Sequence, residues 1–211
     1  MTRPTRLFIA VIATAAALPL SLLAAQANDA RANDIRKEIR HELLQLPYYS
    51  VFDFIAFKYD RGTAELMGYA YATTLKEDAE HAVKRVAGVD TVDNRIEQLP
   101  LSQQDNALRW KIYYAIYNDP FLSKYSPGGG MLWGHRHRFG GFEGLWEGME
   151  PAGNYPIHII VRNGHVDLMG VVDDPGDRTI AEMKARQVPG SFEVKNDLIV
   201  DRDSKQQRAA P

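Results

Sequence analysis

The sequence predicts an α+β fold built from two repeated α-β-β-α-β units, each a small mixed sheet with two helices on one face. Three observations carry this. Residues 62–68 read G-T-A-E-L-M-G and residues 164–170 read G-H-V-D-L-M-G, an offset of 102 residues. The same offset carries Gly88, Val92 and Asn94 onto Gly190, Val194 and Asn196, with no gap between the two phrases. Two separate phrases held at one offset denote a duplicated structural unit. Finally, each copy shows the same succession of periodicities: an apolar helical face, two alternating runs around a glycine turn, a second helical face and a third run. A strand–helix–strand crossover is right-handed and sets its strands parallel, whereas the first two strands form an antiparallel hairpin.

The repeated phrase is architectural. Its first glycine stands where a tight turn needs positive φ. Its second stands where a strand bends or another backbone comes close. The side chains identical in both copies, leucine and methionine, carry no reactive group, so function is sought outside it.

The first unit spans residues 34–99. Asp34 is placed to cap a helix running to about Leu46, with Ile35, Ile39, Leu43 and Leu46 on one face and Pro47 as its stop. Val51–Tyr59 is a strand, apolar on both faces, which is more than a one-sided strand needs. Asp60-Arg61-Gly62 turns the chain into a second strand, Thr63–Tyr71. Thr74 with Glu77 makes a capping box for a helix that buries Leu75, Ala79, Ala82, Val83 and Val86. Gly88 closes that helix as its C′ residue, and Val89–Leu99 is the third strand.

After a polar linker, Pro100–Asn106, the second unit spans 106–201. Asp105 or Asn106 caps a helix with Leu108, Ile112, Ala115 and Ile116 facing in, ended by Pro120. Ile157–Val161, the Asn163-Gly164 turn and Val166–Val171 form a hairpin. Asp174-Pro175 is an N-cap followed by proline at N1. Ile180, Ala181, Ala185 and Val188 line the next helix, Glu193–Asp201 is the last strand, and residues 202–211 are a disordered tail.

Residues 1–27 carry the marks of a secretory signal peptide: Arg3 and Arg6, an uncharged run from Leu7 to Ala25, and Ala25-Gln26-Ala27 as the cleavage site. The alternative is an uncleaved anchor, against which Pro19 and the cleavage site weigh. Without Arg3 and Arg6 the chain holds 23 basic and 27 acidic residues, a net charge of −4. That balance argues against a general nucleic-acid binder. No cysteine is present, which excludes disulfides, thiolate metal sites and a lipid on an N-terminal cysteine. The expected address is the periplasm.

The paired glycines, Gly62/Gly68 and Gly164/Gly170, and the following G-V-x-x-V-x-N phrase resemble the BON domain family (bacterial OsmY and nodulation). That phrase is intact at Gly88–Asn94 and degenerate at Gly190–Asn196, where Ser191 replaces valine. The resemblance covers most of the chain after residue 34 and looks like the exported, OsmY-like tandem proteins. It implies a non-enzymatic envelope role associated with osmotic stress, phospholipid surfaces and outer-membrane protein biogenesis. It carries no catalytic residue and no cofactor.

The second unit departs from the first by an insertion. Between Pro47 and Gly62 lie 14 residues, and between Pro120 and Gly164 lie 43. The extra stretch, residues 126–154, has nine glycines together with Met131, Leu132, Trp133, Phe139, Phe142, Leu145, Trp146 and Met149. Three readings compete. The aromatics pack back on the body. Or Trp133, Phe139, Phe142 and Trp146 enter a membrane interface or an apolar groove, with Arg136 and Arg138 meeting anionic headgroups. Or His135 and His137, with Glu143 and Glu147, hold a metal. The expected partners are therefore a phospholipid surface or envelope protein clients, with an envelope scaffold as the competing class and metal binding as a minor one.

Other candidates have plainer readings. His158 and His165 flank the hairpin and read as ordinary strand histidines. Asp173, Asp174 and Asp177 have the look of a calcium cluster but are explained as a cap and first-turn acids. Ser126 lacks the glycine elbow of a hydrolase.

Overall fold

The computed structural model of the chain describes residues 20–126 and 155–200, with side chains from residue 28. Helix α1 (Leu20–Leu44) leads to strands β1 (Phe54–Asp60) and β2 (Thr63–Ala70), helix α2 (Leu75–Lys84) and strand β3 (Thr91–Gln98). Helix α3 (Gln103–Tyr117) and a short 3-10 turn (Ser123–Tyr125) precede β4 (Ile157–Arg162), β5 (His165–Val172), helix α4 (Pro175–Arg186) and β6 (Glu193–Val200). Each sheet is β-hairpin plus crossover: β1–β2 antiparallel and β2–β3 parallel, then β4–β5 antiparallel and β5–β6 parallel. The registers repeat with the offset seen in the sequence, Ile55, Gly68 and Ile96 in one row against Ile157, Gly170 and Leu198 in the other.

The predicted helical faces are buried. Ile39, Leu66, Leu75, Ala79, Val83 and Ile96 meet in the first core. Ile112, Ile116, Ile159, Leu168, Ala181 and Leu198 meet in the second. Full burial of one such aliphatic side chain is worth about 1.5–3 kcal/mol. Both hairpins turn through left-handed residues, Arg61-Gly62 and Asn163-Gly164. The second glycine of each phrase is fixed by approach as well as by φ. At Gly68 and Gly170, φ is +126° and +123°, and a Cβ would collide with the carbonyl oxygen of Phe54 or of Pro156.

The asparagine of the second phrase has one job in both units. Asn94 donates from Nδ2 to the Lys76 carbonyl (2.8 Å) and accepts at Oδ1 from the Ile96 N–H (3.2 Å). Asn196 does the same with the Arg178 carbonyl (2.9 Å) and the Leu198 N–H (3.3 Å). One side chain thereby ties the crossover helix to the third strand.

Several local expectations are corrected. Helix α1 does not start at Asp34; it runs from Leu20 through residues 28–33, because Leu20–Leu44 contains no glycine or proline to break it. Asp34 is an exposed partner of Lys37. Thr74 adopts helical φ/ψ and makes no side-chain cap, because the chain already turns at Ala72, whose carbonyl accepts from the Leu75 N–H (3.2 Å). Gly88 lies beyond the C-cap, Arg85, in the turn that follows, with φ +97°. Helix α3 is capped by Ser102, not by Asp105 or Asn106. The carboxylate of Asp105 instead accepts from the N–H groups of Asn163 (2.8 Å) and Gly164 (2.9 Å), capping the hairpin turn.

The largest departure is at the start of β1. Val51 and Phe52 were expected in the strand, but the strand begins at Phe54. Both side chains are fully buried in the core of the second unit, and Phe52 stacks edge-on against Trp110 (5.2 Å between centroids). The apolar excess of that stretch belongs to the neighbouring unit's core.

Candidate binding site

The segment Pro47–Asp53 that leaves α1 is held by a buried carboxylate. Asp53 is fully buried and accepts from the Ser50 N–H (3.0 Å), the Ser50 hydroxyl, and the N–H groups of Tyr71 and Ala72 (3.3 Å). Burial pushes its carboxyl above the usual range, against the pull of those donors. Four donors on two oxygens leave no proton-transfer role in view; they fix the segment that carries Val51 and Phe52 across to the second unit.

That segment closes an edge. The Asn163-Gly164 turn makes Arg162 and His165 the first bonded pair of the hairpin, so Ile157, Ile159 and Val161 turn their main-chain groups outward. All three are met by the chain itself. The Tyr117 hydroxyl donates to the Ile157 carbonyl (2.5 Å), the Ile159 N–H donates to the Val51 carbonyl (2.8 Å), and Arg109 Nη2 donates to the Val161 carbonyl (2.6 Å). Arg109 is fully buried and lies over the Tyr71 ring (4.7 Å). Burial holds its guanidinium below the usual range. This is an unpaired edge covered by its own molecule.

The corresponding strand of the first unit is treated differently. Residues 157–161 of β4 are buried throughout, whereas in β1 only Tyr59 is buried and Phe54–Phe57 are half-buried. Strand β1 runs along a groove of about 1220 Å³. One wall is α1, with Arg36, Lys37 and Arg40; the other is the outer face of the second sheet, with Met169, Val171 and Ile199. Tyr155 and Pro156 line the end where the insertion returns to the fold. His158 sits at the groove's base between the rings of Tyr49 and Phe54, 5.6 Å from each. Burial pushes its imidazole down to about 4. The tip of β4 is pinned separately: Arg162 pairs with Glu97 (3.2 Å) and covers the Tyr69 ring (4.7 Å).

The residues singled out from the sequence as contacts, Trp133, Arg136, Arg138, Phe139, Phe142 and Trp146, lie outside the described residues, as do His135, His137, Glu143 and Glu147. His158 and His165 do not face each other: His158 pairs with Met169, and exposed His165 bonds Glu193 (3.2 Å). Asp174 is the predicted N-cap, accepting from the Gly176 N–H (2.9 Å). Its neighbours are served by Lys124, whose ammonium lies 2.7 Å from Asp177 and 3.8 Å from Asp173, where a cation would sit. Among the described residues no group of three or more His, Asp or Glu side chains is placed to hold a metal ion. No helix among them is long and apolar enough to cross a membrane. The groove itself was not anticipated. Its lining residues Phe54–Phe57 have no feature in the sequence that separates them from an ordinary strand.

Two sheets of this topology, each built on the same glycine and asparagine phrases, define a tandem α+β fold. The BON domain family matches residues 31–100 and 150–202, more than half of the chain, and the chain belongs to that family. No curated protein matches it. Among solved structures it is similar to CdsD, a structural protein of the Type III secretion system of Chlamydia trachomatis, at 16% identity and TM-score 0.26, covering 84% of this chain and 99% of that one. A second structure, of the C-terminal domain of CdsD, gives 16% identity and TM-score 0.25 over 80% of this chain and 98% of that one.

Proposed function

We propose that this chain is a non-enzymatic envelope-maintenance protein of the periplasm that binds unfolded outer-membrane clients through its tandem BON units. The observation that carries this is the groove along β1: an open strand edge beside apolar and basic side chains. An exposed edge with apolar flanks recognises polypeptide backbone without bond chemistry. Membership of a family associated with envelope binding, and the predicted export signal, support the same reading.

A second reading is binding to a phospholipid surface. It is favoured by Trp133, Phe139, Phe142 and Trp146 beside Arg136 and Arg138 in the insertion. One experiment separates the two. Residues 28–211 contain both sheets and the buried face of α1 and omit the apolar leader, which would itself partition into lipid. They are expected to suppress aggregation of a urea-denatured outer-membrane β-barrel on dilution. They are not expected to sediment with anionic vesicles. Sedimentation with anionic but not neutral vesicles, weakened by salt and by Trp133→Ser with Trp146→Ser, would transfer the function to the membrane surface. Failure in both arms would leave an interaction scaffold of the envelope.

A further inference from the structure

We infer that the free edge of β1 takes up an extended, acidic polypeptide segment as an added strand, seated between the basic face of α1 and the outer face of the second sheet. The inference rests on the client-binding reading and names where and what the molecule would bind.

The molecule already contains the central main-chain bond of such an arrangement once. In the second unit the middle outward residue of the first strand, Ile159, donates its N–H to the Val51 carbonyl (2.8 Å), in a turn closed by the bond from the Asp53 N–H to the Ser50 carbonyl (3.3 Å). The aromatic side chain next to it, Phe52, enters the core alongside. By the repeat offset, Phe57 is the counterpart of Ile159. The Arg61-Gly62 turn makes Asp60 and Thr63 the first bonded pair of their hairpin, so Ile55, Phe57 and Tyr59 turn their main-chain groups to the open edge. The outer two are occupied. Tyr49 bonds the main chain of Ile55, and Arg36 Nη2 donates to the Tyr59 carbonyl (3.2 Å). Among the described residues nothing outside the sheet bonds the main chain of Phe57. The first unit thus offers the place that Val51 fills in the second, and leaves it open to the groove.

Size and charge say what fits. The groove, about 1220 Å³, exceeds the ~300–1,000 Å³ usual for small-molecule pockets and follows a seven-residue strand. An added strand contributes main-chain hydrogen bonds, while alternate side chains meet the two walls. The α1 wall is basic, with Arg36, Lys37 and Arg40; Lys58 adds a cation from the outer face of β1, and the carboxylates lining the groove are Asp60 and Asp197. Arg40 and Lys58 have no ion pair among the described residues. The other wall is apolar, with Val171 and Ile199 exposed. The matching segment alternates apolar and acidic residues.

The test is fluorescence anisotropy with a short labelled peptide alternating phenylalanine or valine with glutamate, titrated with residues 28–211. Saturable binding is expected. It should weaken at least about tenfold when lysine replaces glutamate in the peptide, and when alternate peptide amides are N-methylated. The same loss is expected in the chain carrying Arg40→Glu with Lys58→Glu. Those two side chains are exposed, so the double variant keeps its core; Phe57→Pro, which removes the edge N–H, is the second variant. Equal affinity for acidic and basic peptides, or no loss on N-methylation, would overturn the inference. If the chain holds a denatured β-barrel and the double variant holds it as tightly, the groove assignment fails while client binding stands. If it holds no client and no peptide, both fail. Peptide binding that appears only after deletion of residues 127–154, or only in a monomer released from a dimer, would give the groove to the chain's own segment or to a second copy, and would also overturn the proposal.

Discussion

Two residue types account for the repeated phrases, and they make different demands. Asn94 and Asn196 each trade one amide between a helix carbonyl and a strand N–H. Loss of that pair by Asn→Ala leaves partly buried main-chain groups unmet, at about 1–2 kcal/mol in each unit. Gly68 and Gly170 are more demanding, since a methyl group there meets both an unfavourable φ and a main-chain oxygen. Gly170→Ala is therefore expected to cost more than Asn196→Ala, at least about 2 kcal/mol, because the hairpin itself must shift. Urea denaturation of the four single variants tests the ranking. An Asn196→Ala loss larger than that of Gly170→Ala would show that the phrase is kept for the bond rather than for the backbone. The spacing of these residues made them visible in the sequence, because one geometry is required twice.

At the scale of elements, the sequence resolved what is local. Helical faces, both Gly turns, the Asp174 cap and the hairpin-plus-crossover order follow from periodicity and turn chemistry, which act over a few residues. What stayed hidden was the use of one unit's residues by the other. Val51 and Phe52 continue the alternation of β1, so nothing in their neighbours separates them from the strand. Phe52 is buried against Trp110 and Tyr113, some 60 positions on, and Val51 lies in the same core. Asp105 was misplaced for the same reason, since its partners are the N–H groups of a distant turn. The groove was illegible because it is what remains when one strand edge is covered and its counterpart is not. The structure gives Phe52 a measurable consequence. Phe52→Ala should cost about 3–5 kcal/mol, the usual loss for a buried phenylalanine. It should also lower hydrogen-exchange protection in β4 and α3, not in β1 and β2. Loss confined to the first sheet would mean that Phe52 serves its own unit.

At the scale of the whole molecule, the two units meet around a titratable group that is uncharged when buried. His158 belongs to β4, yet its ring is packed against Tyr49 and Phe54 of the first unit. Burial depresses it from 6.5 to about 4, so the folded chain binds fewer protons than the unfolded chain between those values. Stability from this group is complete above about pH 6.5 and is lost as pH falls toward 4, by about 3 kcal/mol at most. Asp53, fixed in the adjoining segment, has the opposite sign. Its carboxyl is raised from 3.8, so the folded chain holds the extra proton and stability falls as pH rises through that range. The histidine governs the upper part of the acid window, and protonation there places a charge at the contact between units. The melting temperature is expected to fall from pH 7 to pH 4.5. His158→Phe, which keeps a ring between Tyr49 and Phe54, should flatten that fall without lowering stability at pH 7. An unchanged slope in the variant would assign acid sensitivity to other groups and leave the contact between the units indifferent to pH.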